Sequence, residues 1–102
     1  MSNSDELVNK INSETSKIAW SELQKFYAQG LVVAVERPLD LIATAAIFSQ
    51  DDKTQVQQWL DDKQVYRVED EQAQSWYQRE VLLWAVVVAP FVLVQELDAS
   101  ED

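Results

Sequence analysis

This sequence has no histidine and no cysteine, so what it offers for catalysis is carboxylates, lysines, tyrosines and serines. Without histidine the commonest general base is missing, and without both residues the usual zinc ligands are missing. Serine–histidine and cysteine–histidine devices are excluded with them. One glycine in 102 residues also excludes a glycine-rich phosphate cradle.

Asp40 is the acid of most interest. It lies between Leu39 and Leu41 at the mouth of an almost wholly apolar stretch. One role there is structural, as a carboxylate meeting the free N–H groups of a first helical turn. The other is a partly buried acid beside Glu36 and Arg37, in a pocket at a strand end. The doublets Asp51-Asp52 and Asp61-Asp62 and the triplet Glu69-Asp70-Glu71 are oxygen-rich. None has the loop pattern of a calcium site, and solvated helix ends account for them. No metal and no cofactor is expected. Four tryptophans are many for this length. Trp20, Trp59 and Trp76 fall on apolar stripes at helical spacing, which favours core packing over ligand stacking.

The net charge is −10, from 18 acidic and 8 basic residues, and four of the acids lie in residues 96–102. The rest is acidic as well. Nucleic acid and anionic membrane surfaces are therefore unsuitable partners. The absence of cysteine mildly favours a reducing compartment. The first residues have neither a basic nor an apolar segment, so a signal peptide is not expected and the cytoplasm is the expected location. Residues 81–94 are wholly apolar, but 14 residues with a proline among them are too few for a membrane-spanning helix.

The elements that must position these groups follow from periodicity. A first helix is predicted from Asp5 to Ser16, with Leu7, Val8, Ile11 and Ile18 spaced for one face. Ser21 and Gln24 have the spacing of a capping box for a second helix, which Gly30 ends. Residues 31–36 read as a strand apolar on both faces. A buried helix follows over 39–48, and another is opened by Asp51 and Asp52. Residues 65–68 form a short strand and residues 69–77 a helix carrying Ala73, Trp76 and Tyr77. The run Leu82–Val88 reads as a central strand, with Trp84, Val86 and Val88 buried. Residues 91–95 are either the second arm of a hairpin or a continuation past a bulge. Ala89-Pro90 lacks the usual hairpin residues, which favours the bulge. The whole is one α+β domain over 1–95, a mixed sheet of three or four strands with helices packed on it, and parallel pairings are allowed. A mainly helical domain with a C-terminal hairpin is the alternative. Residues 96–102 are expected to form a disordered acidic tail.

Several segments together resemble a known family. They are residues 14–30, Leu39-Asp40-Leu41-Ile42, Asp51-Asp52-Lys53 with Trp59-Leu60, and residues 84–95. These resemble a bacterial family known as a domain of unknown function, over roughly residues 14–95. The resemblance implies a small bacterial cytoplasmic protein. It implies no activity, cofactor or partner, and no functional residue.

The inventory favours a non-enzymatic binding or interaction domain. The alternative is an enzyme or ligand-binding domain working through carboxylates such as Asp40 and Glu36. An acidic mimic of nucleic acid would want regularly spaced acids, and these are scattered doublets. A homodimer is also expected, on the argument that residues 91–94 form an uncovered sheet edge. Phe91 and Leu93 would then belong to the interface, with Trp20 or Trp59 contributing. An unidentified protein is the other expected partner.

Overall fold

The long apolar run near the C-terminus forms the middle of the molecule. The computed structural model describes residues 3–97. β4 (Leu82–Val88) and β5 (Phe91–Glu96) make an antiparallel hairpin, with Val88 opposite Phe91. The turn is Ala89-Pro90, joined by a cis peptide bond. A hairpin therefore stands where a bulge was favoured.

Among the described residues the sheet has five strands, in the order β1-β4-β5-β2-β3. β2 (Val32–Val35) pairs parallel with β5 and antiparallel with β3 (Val65–Arg67). β1 (Ser16–Ala19) pairs antiparallel with β4. The mixed sheet is as expected, with one strand more than four. β1 was unforeseen because residues 16–19 were read as the end of one helix and the approach to the next. Ile18, assigned to the first helix, instead packs from β1 onto the core.

β5 is flanked by β4 and β2, so residues 91–94 are not an edge. All four residues of β2 and residues 92–95 of β5 are buried. The strand edges are instead β1 and β3, of four and three residues. Short edges limit the unpaired backbone offered to other chains. β4 is interior, but its side chains vary. Val86 is buried and Trp84 and Val88 are half-buried, whereas Leu82 and Val87 are 50% and 61% exposed. β1 covers residues 82–85 of β4, where Lys17 lies over the Trp84 ring at 5.2 Å, and among the described residues no strand continues it beside Val87.

Helices cover both faces. On one, α1 (Asn3–Glu14), α3 (Leu41–Ser49) and α4 (Lys53–Asp61) bury Ile11, Leu41, Ala45 and Ala46 against Val33, Val86 and Leu93. On the other, a 3₁₀ turn (Trp20–Leu23), α2 (Gln24–Ala28) and α5 (Asp70–Gln78) bury Trp20, Leu23 and Trp76 against Val32, Leu83 and Val94. Trp20 meets Trp76 and Tyr27 edge to face, at 5.1 and 5.5 Å. The capping box at Ser21 does not form. Residue 21 lies within the 3₁₀ turn, and the Gln24 amide donates to the Trp20 carbonyl. Trp20 Nε1 is buried without a hydrogen-bond partner among the described residues.

Scarce glycine raises the question of how helices stop. α2 ends at Gly30, which takes the left-handed conformation at φ 73°. The residues after the C-caps of α3, α4 and α5 do the same with side chains: Asp51, Lys63 and Glu80, at φ 56°, 60° and 50°. Each helix closes with the paired backbone bonds of a Schellman motif, such as Gln64 N–H to the Trp59 carbonyl at 2.8 Å. No helix of the described residues is long and apolar enough to cross a membrane. β5 extends to Glu96, past the expected start of the tail, and residues 98–102 lie outside the described residues.

Candidate functional site

Because β2 and β5 run parallel in register, their carboxyl ends finish side by side. Val32 faces Val92 and Ala34 faces Val94, so the next step on the same sheet face reaches Glu36 and Glu96. A cavity of about 240 Å³ opens there, and Tyr66, Gln72 and Trp76 also line it. In sheets with parallel strands, ligands collect outside the carboxyl ends.

The polar groups are ordered by one another. The Tyr66 hydroxyl donates to Glu36 Oε1 at 2.5 Å and accepts from the Gln72 amide at 3.1 Å. The Trp76 indole donates to Glu96 Oε1 at 2.8 Å. The Arg79 guanidinium lies 3.5 Å from the same oxygen, both side chains being over half exposed. Arg37 donates to the Glu96 backbone carbonyl at 3.1 Å. Burial, then the bond to Glu36, and then the charges of Glu36 and Glu96 push the Tyr66 phenol up to about 12, against an opposing hydrogen bond from Gln72. Tyr66 is thus a proton-holding donor rather than a base. A few residues away, Tyr27 donates to Asp70, and that bond is the main reason its phenol is also raised.

Glu36 and Arg37, neighbours in the chain, line this cavity; Asp40, expected beside them, does not, though it shares a second cavity with Arg37. The Asp40 carboxylate caps α3, accepting from Ile42 N–H at 3.0 Å. It lines a neighbouring cavity of about 470 Å³ on the other sheet face, with Arg37, Thr15 and Trp84. Gln95, buried between these regions, donates to the Leu39 carbonyl at 2.6 Å. The aromatic and aliphatic candidates separate. Trp20 and Leu93 are buried core residues, at 1% and 0% exposure, and Trp59 packs half-buried on the α3 side. Phe91 lines an apolar cavity at the opposite end of the sheet. An interface built from Leu93 is therefore excluded, since a fully buried side chain in an interior strand has no surface to offer.

Tyr66, Gln72 and Glu96 were not singled out, and Trp76 was read as a core residue only. For Glu96 a signal existed, since Val92, Val94 and Glu96 continue one alternation, but its charge assigned it to the tail. Tyr66 carried only the mixed character of its short strand. Among the described residues no group of acids could hold a metal ion.

Comparison with known proteins agrees with the resemblance. The solution structure of PA1075 from Pseudomonas aeruginosa is similar, with 36% identity and a TM-score of 0.80 over 98% of this chain and 93% of that one. No curated protein matches. Residues 6–96 match the family DUF2288, described as a protein of unknown function, somewhat beyond the expected 14–95. A match over that span, together with the fold shared with the Pseudomonas protein, makes the chain a member of the DUF2288 family.

Proposed function

We propose that the chain is a non-enzymatic binding domain whose ligand enters the polar cavity at the carboxyl ends of β2 and β5. The observation that carries this reading is convergence. Four separate elements aim hydrogen-bonding side chains into one small cavity, and each is held by a neighbour. Preset geometry of this kind favours binding, because little side-chain freedom is lost when a ligand arrives. The chemistry present does not favour turnover. Tyr66 holds its proton, and the carboxylate pair imagined from Asp40 and Glu36 is divided between two cavities. Glu36 and Glu96 present acceptor oxygens, so the complementary ligand donates hydrogen bonds, as an amine or amidine does. The acidic surface draws such ligands in.

Nitrogen-15 spectra with benzylamine, agmatine and benzoate test this. The amines are expected to shift the Trp76 indole and Gln72 amide resonances saturably, and Glu36→Gln to weaken them. Shifts scattered over the surface, or equal binding of benzoate, would count against it.

Two further expectations belong to this reading. Cytoplasmic residence is supported by the cysteine-free sequence and is checked by fractionating cells that express the tagged chain. Pairing of two copies is supported only by the exposed Leu82 and Val87 of β4, since residues 91–94 are interior. Light scattering across a dilution series decides it.

A further inference from the structure

A third cavity, about 490 Å³ and mostly apolar, opens at the other end of the sheet, where β2 and β5 begin. It shares no lining residue with the polar cavity. Val33, Phe48, Val88 and Phe91 form its floor, and α4 adds Val56 and Leu60. Phe48 and Phe91 meet edge to face at 6.4 Å. Cavities of this size, apolar with a few placed polar groups, are the usual form of a small-molecule site.

The charged groups on the rim have partners, with one exception. Asp52 caps α4, accepting from Gln55 N–H at 3.1 Å. Lys53 lies 4.0 Å from Asp51. Gln57 donates to Asp61 at 2.9 Å. Arg67 ends β3 opposite Val33, on the sheet face that lines this cavity. It makes no hydrogen bond or ion pair through its side chain among the described residues. An unpartnered guanidinium stands out in a chain where acids outnumber bases by 18 to 8. A guanidinium fork matches a carboxylate in shape and charge.

We infer that this cavity binds a small amphiphilic carboxylate, its apolar body against Phe48, Val56 and Phe91 and its head on Arg67. The ligand is distinct in chemistry and in place from the one read into the polar cavity.

The test uses the full chain, nitrogen-15 labelled, with octanoate, octanol and octylamine below their aggregation limits. Octanoate is expected to give saturable shifts at the amides of Phe48, Val56, Leu60, Val88 and Phe91, leaving Gln72 and the Trp76 indole unmoved. Octanol should bind the same amides more weakly, and octylamine more weakly still. Arg67→Gln should cut octanoate affinity about tenfold and leave octanol unchanged. Arg67→Lys should fall between, because it keeps the charge and loses the fork. Arg67 is exposed, so both variants should keep dispersed spectra. No saturable shift at these amides, octylamine binding as well as octanoate, or equal octanoate affinity in Arg67→Gln and the wild type would overturn the inference.

Discussion

The two ends of the parallel pair β2–β5 are made by the same strands and differ in almost every chemical respect. At the carboxyl ends the alternation runs on from Ala34 and Val94 into Glu36 and Glu96, and the cavity is small and lined with groups that hold one another. At the amino ends, beside Val33 and Phe91, the cavity is about twice as large and mostly apolar, with charged groups confined to its rim. The polar groups around the small cavity satisfy one another, which fixes their positions. Hydrocarbon makes no such demand, and a hollow lies between α4, the hairpin turn and the end of β3.

The sheet between the two ends supports both. Leu93→Ala removes a fully buried side chain at its middle and should cost about 2–5 kcal/mol in urea unfolding, with both ends affected in nitrogen-15 spectra. A loss below 1 kcal/mol would mean that the ends are held independently of that strand. Asp52→Ala removes the N-cap of α4 and should cost about 1 kcal/mol, with spectral changes confined to the apolar end. Changes reaching Gln72 or the Trp76 indole would show that the two ends communicate.

The polar end should carry its own pH signature. Tyr66 titrates near 12 in the fold against an ordinary value of 10.0. Its raised value means that the protonated phenol is the form favoured by folding. That stability is fully present below pH 10 and is lost as pH rises towards 12. Ultraviolet difference titration should show two tyrosinates later than the ordinary value in the wild type, Tyr66 and Tyr27, and one in Tyr66→Phe, whose stability should then fall less steeply over this window. The apolar end should be indifferent to that rise. The smallest effect belongs to Arg79→Ala. Its ion pair with Glu96 is more than half exposed and should be worth less than about 0.5 kcal/mol by chemical denaturation, and less at high salt.

Much of the frame was legible because local rules act within a few residues. Asp40, Asp52 and Gly30 announce helix boundaries by chemistry confined to one turn, and Val32–Val35 is a strand apolar on both faces and buried on both. Where competing local rules were close, the reading failed. Ser21 and Gln24 had the spacing of a cap, but burying Trp20 and Leu23 together drew that stretch into a 3₁₀ turn. Ala89-Pro90 lacked turn glycine, yet the pairing of β4 with β5 along six residue pairs, four of them apolar on both sides, made it a hairpin.

The sequence by itself determined the class of fold, the helix boundaries marked by Asp40, Asp52 and Gly30, the acidic charge and the absence of histidine and thiol chemistry, because each is a property of residue type or of neighbours along the chain. Only the tertiary structure decided that β5 is interior, that Glu96 joins Glu36 and Tyr66, that Asp40 stays apart, and that Arg67 has no partner among the described residues. Those facts depend on which strands lie side by side, and strand order is set by the burial of whole faces against one another across dozens of residues. No local pattern in the chain encodes that sum.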